Sequence, residues 1–198
     1  NYRIADINNN GLTPGSNNRD ELDIISADGL LNDTFINTES VSKNVIYSIV
    51  PISASGCEGS AFTVTVSIRP EPVVADQEET VCSDDSIDIT LNPSSSVAVA
   101  SYMITNTNDN GLAEVDPTVT IADGILSAGG YSNNSNNPID VIYTIVPVSS
   151  DGVEGGAFTL TVTVNPKPIV ADQEIEVCSG EALDIDFNAS STIAVASY

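Results

Sequence analysis

The chain repeats itself at a fixed distance, and that repeat restricts its fold more than any other feature. VIYSIVPIS at residues 45–53 returns as VIYTIVPVS at 141–149. EPVVADQEETVCS at 71–83 returns as KPIVADQEIEVCS at 167–179, and VAVASY at 97–102 returns as IAVASY at 193–198. Each copy lies 96 positions beyond its original. About 60 per cent of positions in this stretch are identical, far more than a shared fold pattern produces. Upstream the spacing becomes 100, from Asn10-Gly11-Leu12 to Asn110-Gly111-Leu112. The length change falls in loops while the strands hold register, as expected of surface connections.

Within each repeat the periodicity is that of strands. In Phe62-Thr63-Val64-Thr65-Val66-Ser67-Ile68 every second residue is apolar, and Phe158-Thr159-Leu160-Thr161-Val162-Thr163-Val164 keeps the alternation. Such a strand buries one face on a core. Ile87, Ile89 and Leu91 alternate likewise, as do Leu183, Ile185 and Phe187. The run 45–52 is apolar on both faces, so periodicity does not say which side points inward, and Pro51 marks a bulge or a strand end. Short strands separated by Asn, Gly and Ser turns predict an all-β fold of tandem antiparallel sandwiches of about 95–100 residues each. Composition agrees. Val, Ile and Thr suit a pleated surface, Asn and Gly suit tight turns, and Met103 is the lone methionine in a chain without tryptophan.

Pro70-Glu71-Pro72 and Pro166-Lys167-Pro168 each follow a last strand. A Pro-x-Pro run cannot join a central ladder and stiffens a linker. The boundaries expected are therefore 1–69 for a sandwich lacking its first strands, 70–166 for a complete repeat, and 167–198 for the opening strands of a following one. A sandwich without its first two strands exposes apolar core and an unpaired edge. Either 167–198 of one copy completes 1–69 of another by strand complementation, or the chain is a piece of a continuous array.

The net charge is −23, from 28 acids against five Lys and Arg. It disfavours nucleic acid and anionic lipid as partners, and it favours solubility and divalent cations. No run of about 18 apolar residues and no signal-peptide pattern occurs, so membrane insertion is not expected. The chain begins in mid-pattern, which suggests an excerpt of a longer polypeptide.

Two segments have calcium-loop spacing. Asp6, Asn8 and Asn10 precede Gly11, and Asn106, Asn108 and Asn110 precede Gly111. Oxygen ligands on alternate residues can converge on a hard cation, with Gly permitting the sharp turn. The closing Glu of such loops is missing, and Asn-Gly also forms a tight turn with no ion. Both readings stand at this point, so no cofactor is required and calcium is the one to test. Catalysis is not expected. The chain has no His for a Ser-His or Cys-His pair, and the adjacent acids Asp84-Asp85 fall at a turn before a strand, where carboxylates are ordinarily solvated.

Tyr-x-Ile-x-Pro near Gly56-Cys57-Glu58-Gly59, then Phe-Thr-Val-Thr-Val, Pro-x-Pro and Val-Cys-Ser, form a joint pattern spanning nearly the whole chain twice. LNDTFINTES at 31–40 leads into it. This resembles the PKD-like, Ig-like repeats of Bacteroidota surface proteins, including giant gliding-motility adhesins. The resemblance implies secretion to the cell surface by the type IX route, a mechanical or adhesive role, and no catalysis. The family's Gly-Cys position is Cys57 in the first copy but Val153 in the second, and its usual aromatic is Tyr2, Tyr102 and Tyr198 here. Asp85-Ser86-Ile87 is similar to the site at which these bacteria attach O-glycans, on Ser86; a turn entering a strand explains it equally.

Cys57, Cys82 and Cys178 are an odd count, which in an exported protein points to an outside partner or a free thiol. If the Gly-Cys and Val-Cys positions pair within one domain, Cys82 faces Val153 and stays free. Cys57 and Cys178 then pair beyond this chain. A Cys57–Cys82 bridge across the linker is the competing arrangement. Without His or Cys-x-x-Cys spacing, the thiols do not read as a metal site. The function expected is a stalk or filament segment of a large surface adhesin. The alternatives are a strand-exchanged filament subunit, or a module whose loops bind glycan or protein.

Overall fold

The computed structural model describes residues 1–30, 32–94, 97–168, 170–183 and 193. These residues form strands and turns, with no helix among them. The chain divides into two compact units: Asn1–Val74 with Pro93–Tyr102 and Val146–Ala157, and Ala75–Asn92 with Met103–Ile145 and Phe158–Tyr198. Residues 70–72 and 166–168 lie outside any strand, as their prolines require.

The first unit contains β1 (Tyr2–Asn8), β2 (Thr13–Pro14), β3 (Ile24–Ile25), β4 (Phe35–Ile36), β5 (Lys43–Pro51) and β6 (Phe62–Ile68). They make a four-stranded sheet in the order β3-β1-β5-β6 and a two-stranded ribbon, β2-β4. The apolar run 45–52 resolves its ambiguity here. Val45, Tyr47 and Ile49 are buried with Ile4, Leu12 and Ile25, and Pro51 is the strand's last residue. The Tyr47 hydroxyl donates to Asp33 Oδ2 at 2.7 Å. Burial, with Asp33 beside it, pushes the phenol above its ordinary range.

The second repeat contributes β7 (Gln77–Cys82), β8 (Ile87–Thr90), β9 (Val99–Asn108), β10 (Ala113–Glu114), β11 (Val119–Ala122), β12 (Ile125–Ala128), β13 (Tyr131–Ser132), β14 (Ile139–Ser149) and β15 (Phe158–Asn165). One sheet runs β7-β15-β14-β9 and the other β11-β12-β8, with a β10-β13 ribbon. Val141, Tyr143 and Ile145 of β14 and Phe158, Leu160, Val162 and Val164 of β15 are buried, as are Ile87, Ile89 and Leu91. The period-2 reading holds for β15 and for Ile87, Ile89 and Leu91. One pair departs from the antiparallel expectation: β7 runs parallel to β15, from Gln77 beside Leu160 to Cys82 beside Asn165. First and last strands running in the same direction place chain entry and exit at opposite ends of the sheet. Parallel neighbours require the chain to cross over between them, and here the rest of the domain is that crossover.

The segment 173–178 is identical to β7 at four of six positions, yet it lies in no strand and is exposed throughout. A strand needs a partner to satisfy its backbone; β7 has β15, and 173–178 has none of that kind among the described residues. The continuation through Ile185 and Phe187, like Tyr198, falls outside the described residues.

Candidate functional site

The two copies of one strand differ most in what covers them. In β15 the inward side chains are sealed, with Phe158 2% and Val162 0% exposed. Their counterparts in β6, Phe62 and Val66, are 44% and 41% exposed. Sequence alternation is the same in both strands, so the difference comes from neighbours. β15 is flanked by β7 and β14, whereas β6 ends its sheet with only β5 beside it. Among its described residues this unit has no counterpart of β7 or β8. Ala27-Asp28-Gly29 has the sequence of the Ala122-Asp123-Gly124 turn that joins β11 to β12, but β3, which precedes it as β11 precedes that turn, pairs with β1. What remains is an apolar groove of about 250 Å³ lined by Tyr2, Ile25, Leu30, Ile49, Phe62 and Val64. An open sheet edge beside an apolar face is the arrangement that accepts an added strand.

The two segments with calcium-loop spacing are two copies of one tight turn. Asn10 and Gly11 have φ of 51° and 81°, and Asn110 and Gly111 have 49° and 85°. The Leu12 N–H donates to the Asn9 carbonyl at 3.0 Å and the Leu112 N–H to that of Asp109 at 3.1 Å. These are type I′ turns, whose positive φ values call for Asn-Gly. Asn8 and Asn9 side-chain oxygens accept the Asn10 and Gly11 N–H groups at 3.0 and 3.1 Å. Asn108 and Asp109 do the same for Asn110 and Gly111 at 3.2 and 2.9 Å. Asn10 Nδ2 donates to the Asn44 carbonyl at 2.6 Å, and Asn110 Nδ2 to that of Asp140 at 2.8 Å. Asp6 and Asn106 are exposed within β1 and β9. Among the described residues no three His, Cys, Asp or Glu side chains gather as a metal site would require. Since each turn is held by its own amides, saturating calcium is expected to leave the melting temperature unchanged. A calcium-dependent rise that disappears in Asp6→Ala would show that the ion, not the turn, sets these residues.

All three thiols are free and exposed.

Asp84 and Asp85 sit in a tight turn, each with a structural task. Asp84 accepts from the hydroxyls of Ser132 and Ser83, and the Ser132 bond above all holds its carboxyl below the usual range. Asp85 takes Lys167 Nζ at 2.9 Å. Gly130 packs so close that a Cβ there would lie 2.2 Å from the Asp85 carbonyl oxygen. Ser86 is exposed immediately before β8.

One pair of residues escaped the sequence reading. Asn37 and Asn133 are buried side chains at 2% exposure, each clamping its loop to the end of the last strand. Asn133 Nδ2 donates to the carbonyls of Asn137 and Val164 at 2.9 and 2.7 Å, and its Oδ1 accepts the Ser135 N–H at 3.0 Å. Asn37 Nδ2 reaches Val41 and Ile68 at 3.0 and 2.9 Å. A signal was available: over residues 37–44 and their copies 133–140, the asparagine is the lone identity.

A PKD-like domain profile matches residues 13–72 and 79–168. No curated protein matches the sequence. Among solved structures, a Photobacterium 2,6-sialyltransferase superposes at TM-score 0.31 and 10% identity over 48% of this chain and 18% of its own. The N-terminal eight Ig domains of Down Syndrome Cell Adhesion Molecule superpose at 0.30 and 13% over 86% and 20%. The chain thus spans about a fifth of each, and similarity this slight bears on neither fold nor function.

Proposed function

The chain belongs to the PKD-like domain family, twice over, and from that premise we propose that it is a non-catalytic structural segment of a large secreted surface protein. It serves adhesion or gliding motility as a spacer, exported by the type IX route and needing no cofactor. The observation that carries this reading is the parallel pairing of β7 with β15. With entry and exit at opposite ends of the sheet, tension along the chain pulls the two strands in opposite directions. Their cross-strand hydrogen bonds are then loaded together in shear rather than opened one at a time. The acidic surface keeps such arrays apart in solution, and the Pro-x-Pro joints stiffen them. The residues favour a spacer over a glycan-binding module, because Phe62 is the one aromatic among the large exposed apolar side chains described.

Single-molecule pulling from the chain ends tests this. The second repeat is expected to break as one high-force event. Val81→Pro, which removes an N–H from β7 and lies at the sheet edge, should lower that force severalfold. Low-force, gradual extension of the unmodified chain would end the tension-carrying role.

A further inference from the structure

We propose that Asn10 is a residue at which the folded chain spontaneously loses its side-chain amide, and that Asp109 shields the matching residue of the second repeat, Asn110. These two asparagines are the chain's Asn-Gly positions. Glycine has no Cβ to hinder its own nitrogen, so Asn-Gly is where a backbone amide most readily attacks the preceding side chain. Gly11 N, stripped of its proton by base, bonds to Asn10 Cγ, and Nδ2 leaves as ammonia, taking a proton back. Water then opens the resulting cyclic imide to aspartate or isoaspartate. Nothing is oxidised or reduced: an amide and a water become an acid and ammonia.

In both turns the reacting groups are engaged elsewhere. The Gly11 N–H donates to Asn9 Oδ1 at 3.1 Å, and Asn10 Nδ2 to the Asn44 carbonyl at 2.6 Å. The Gly111 N–H donates to Asp109 Oδ1 at 2.9 Å, and Asn110 Nδ2 to the Asp140 carbonyl at 2.8 Å. The backbones match, with φ of 51° and 81° against 49° and 85°, and both asparagines are exposed. What differs is the group that holds the glycine N–H. In the first repeat it is a neutral amide oxygen; in the second it is a carboxylate. A charge-assisted bond is roughly twice as strong as a neutral one. Negative charge beside the nitrogen also opposes its becoming an anion. Gly111 is therefore harder to release and harder to deprotonate than Gly11. Once Asn10 is converted, the Asn44 carbonyl has lost its donor, and isoaspartate lengthens the backbone of a two-residue turn. The first turn thus loosens with age while the second keeps its form.

Ageing the full chain in mildly alkaline buffer, folded and in urea, tests this, with peptide mapping by mass spectrometry following each site. In the folded chain Asn10 should convert about fivefold faster than Asn110, the factor that separates a neutral hydrogen bond from a charge-assisted one. In urea both should convert faster and within about twofold of each other, since the turns that distinguish them are open. Exchanging the acceptors reads the cause at each site. Asn9→Asp should slow Asn10 and Asp109→Asn should speed Asn110, each about fivefold in the folded chain and little in urea. Both replacements keep an oxygen for the glycine N–H, so both turns should persist, which an unchanged circular dichroism spectrum would show. Equal rates at the two sites of the folded chain overturn the proposal. So does a lead of Asn10 that persists undiminished in urea or that neither exchange alters. So, too, does a folded chain whose Asn10 stays intact while the unfolded chain is fully converted.

Discussion

Replacing Asn133 by alanine is expected to destabilise the second repeat by about 3 kcal/mol, among the largest effects available to a single surface-loop position. Its amide group satisfies the carbonyls of Asn137 and Val164 and the Ser135 N–H. Truncation strands these groups, and a buried polar group left unpaired costs roughly 1–3 kcal/mol. Val164 is itself 0% exposed, so water cannot readily replace the lost donor there. Asn133→Asp should be no better than alanine: it preserves shape but turns an oxygen towards carbonyls that need a donor. Urea unfolding would measure both. A loss below about 1 kcal/mol for the alanine variant would show that the clamp is dispensable.

The second large effect is a gain. Fusing a copy of residues 73–100 directly before Asn1 supplies the first unit with the strands that β7 and β8 provide to the second repeat. Phe62 and Val66 should then approach the burial of Phe158 and Val162. Full burial of such side chains is worth roughly 1.5–3 kcal/mol each. With both about half covered already, and with the cost of ordering the new strands, a net gain of roughly 2–4 kcal/mol is expected. For a domain of this size that is about 10 °C or more in melting temperature. A scrambled fusion of equal length is the control, and calorimetry reads the result. Equal melting temperatures for the two fusions would mean that strands like β7 and β8 add nothing to β6.

Much of the architecture was legible because strand periodicity survives any context. Phe62 to Ile68 and Phe158 to Val164 alternate in the sequence, and both are strands. The inward face of residues 45–52 was not legible, since apolar residues occupy both sides. It was set by Val45, Tyr47 and Ile49 meeting Ile4 and Leu12 from β1 and the turn beyond it. The Asn-Gly turns show the limit from another side. Their local spacing fits a cation loop or a turn equally well. The donors from Asn10 and Asn110 to carbonyls thirty or more residues away, which tie the turn to the neighbouring strand of the sheet, exist only in the folded chain. Asn37 and Asn133 were overlooked for the same reason: an asparagine in a polar loop looks like any other until the loop folds over a strand end.

The repeat, its spacing, the strand type of each segment and the proline breaks are properties of the order of residues alone, because β-branched alternation and proline's missing N–H act locally. Whether a strand-forming segment becomes a strand was decided in three dimensions. Residues 77–82 and 173–178 are nearly the same peptide, and β6 and β15 are nearly the same ribbon. Residues 77–82 are paired where 173–178 are not, and β15 is flanked and covered where β6 has only β5 beside it, since hydrogen bonds and burial come from neighbours and no segment carries its neighbours with it.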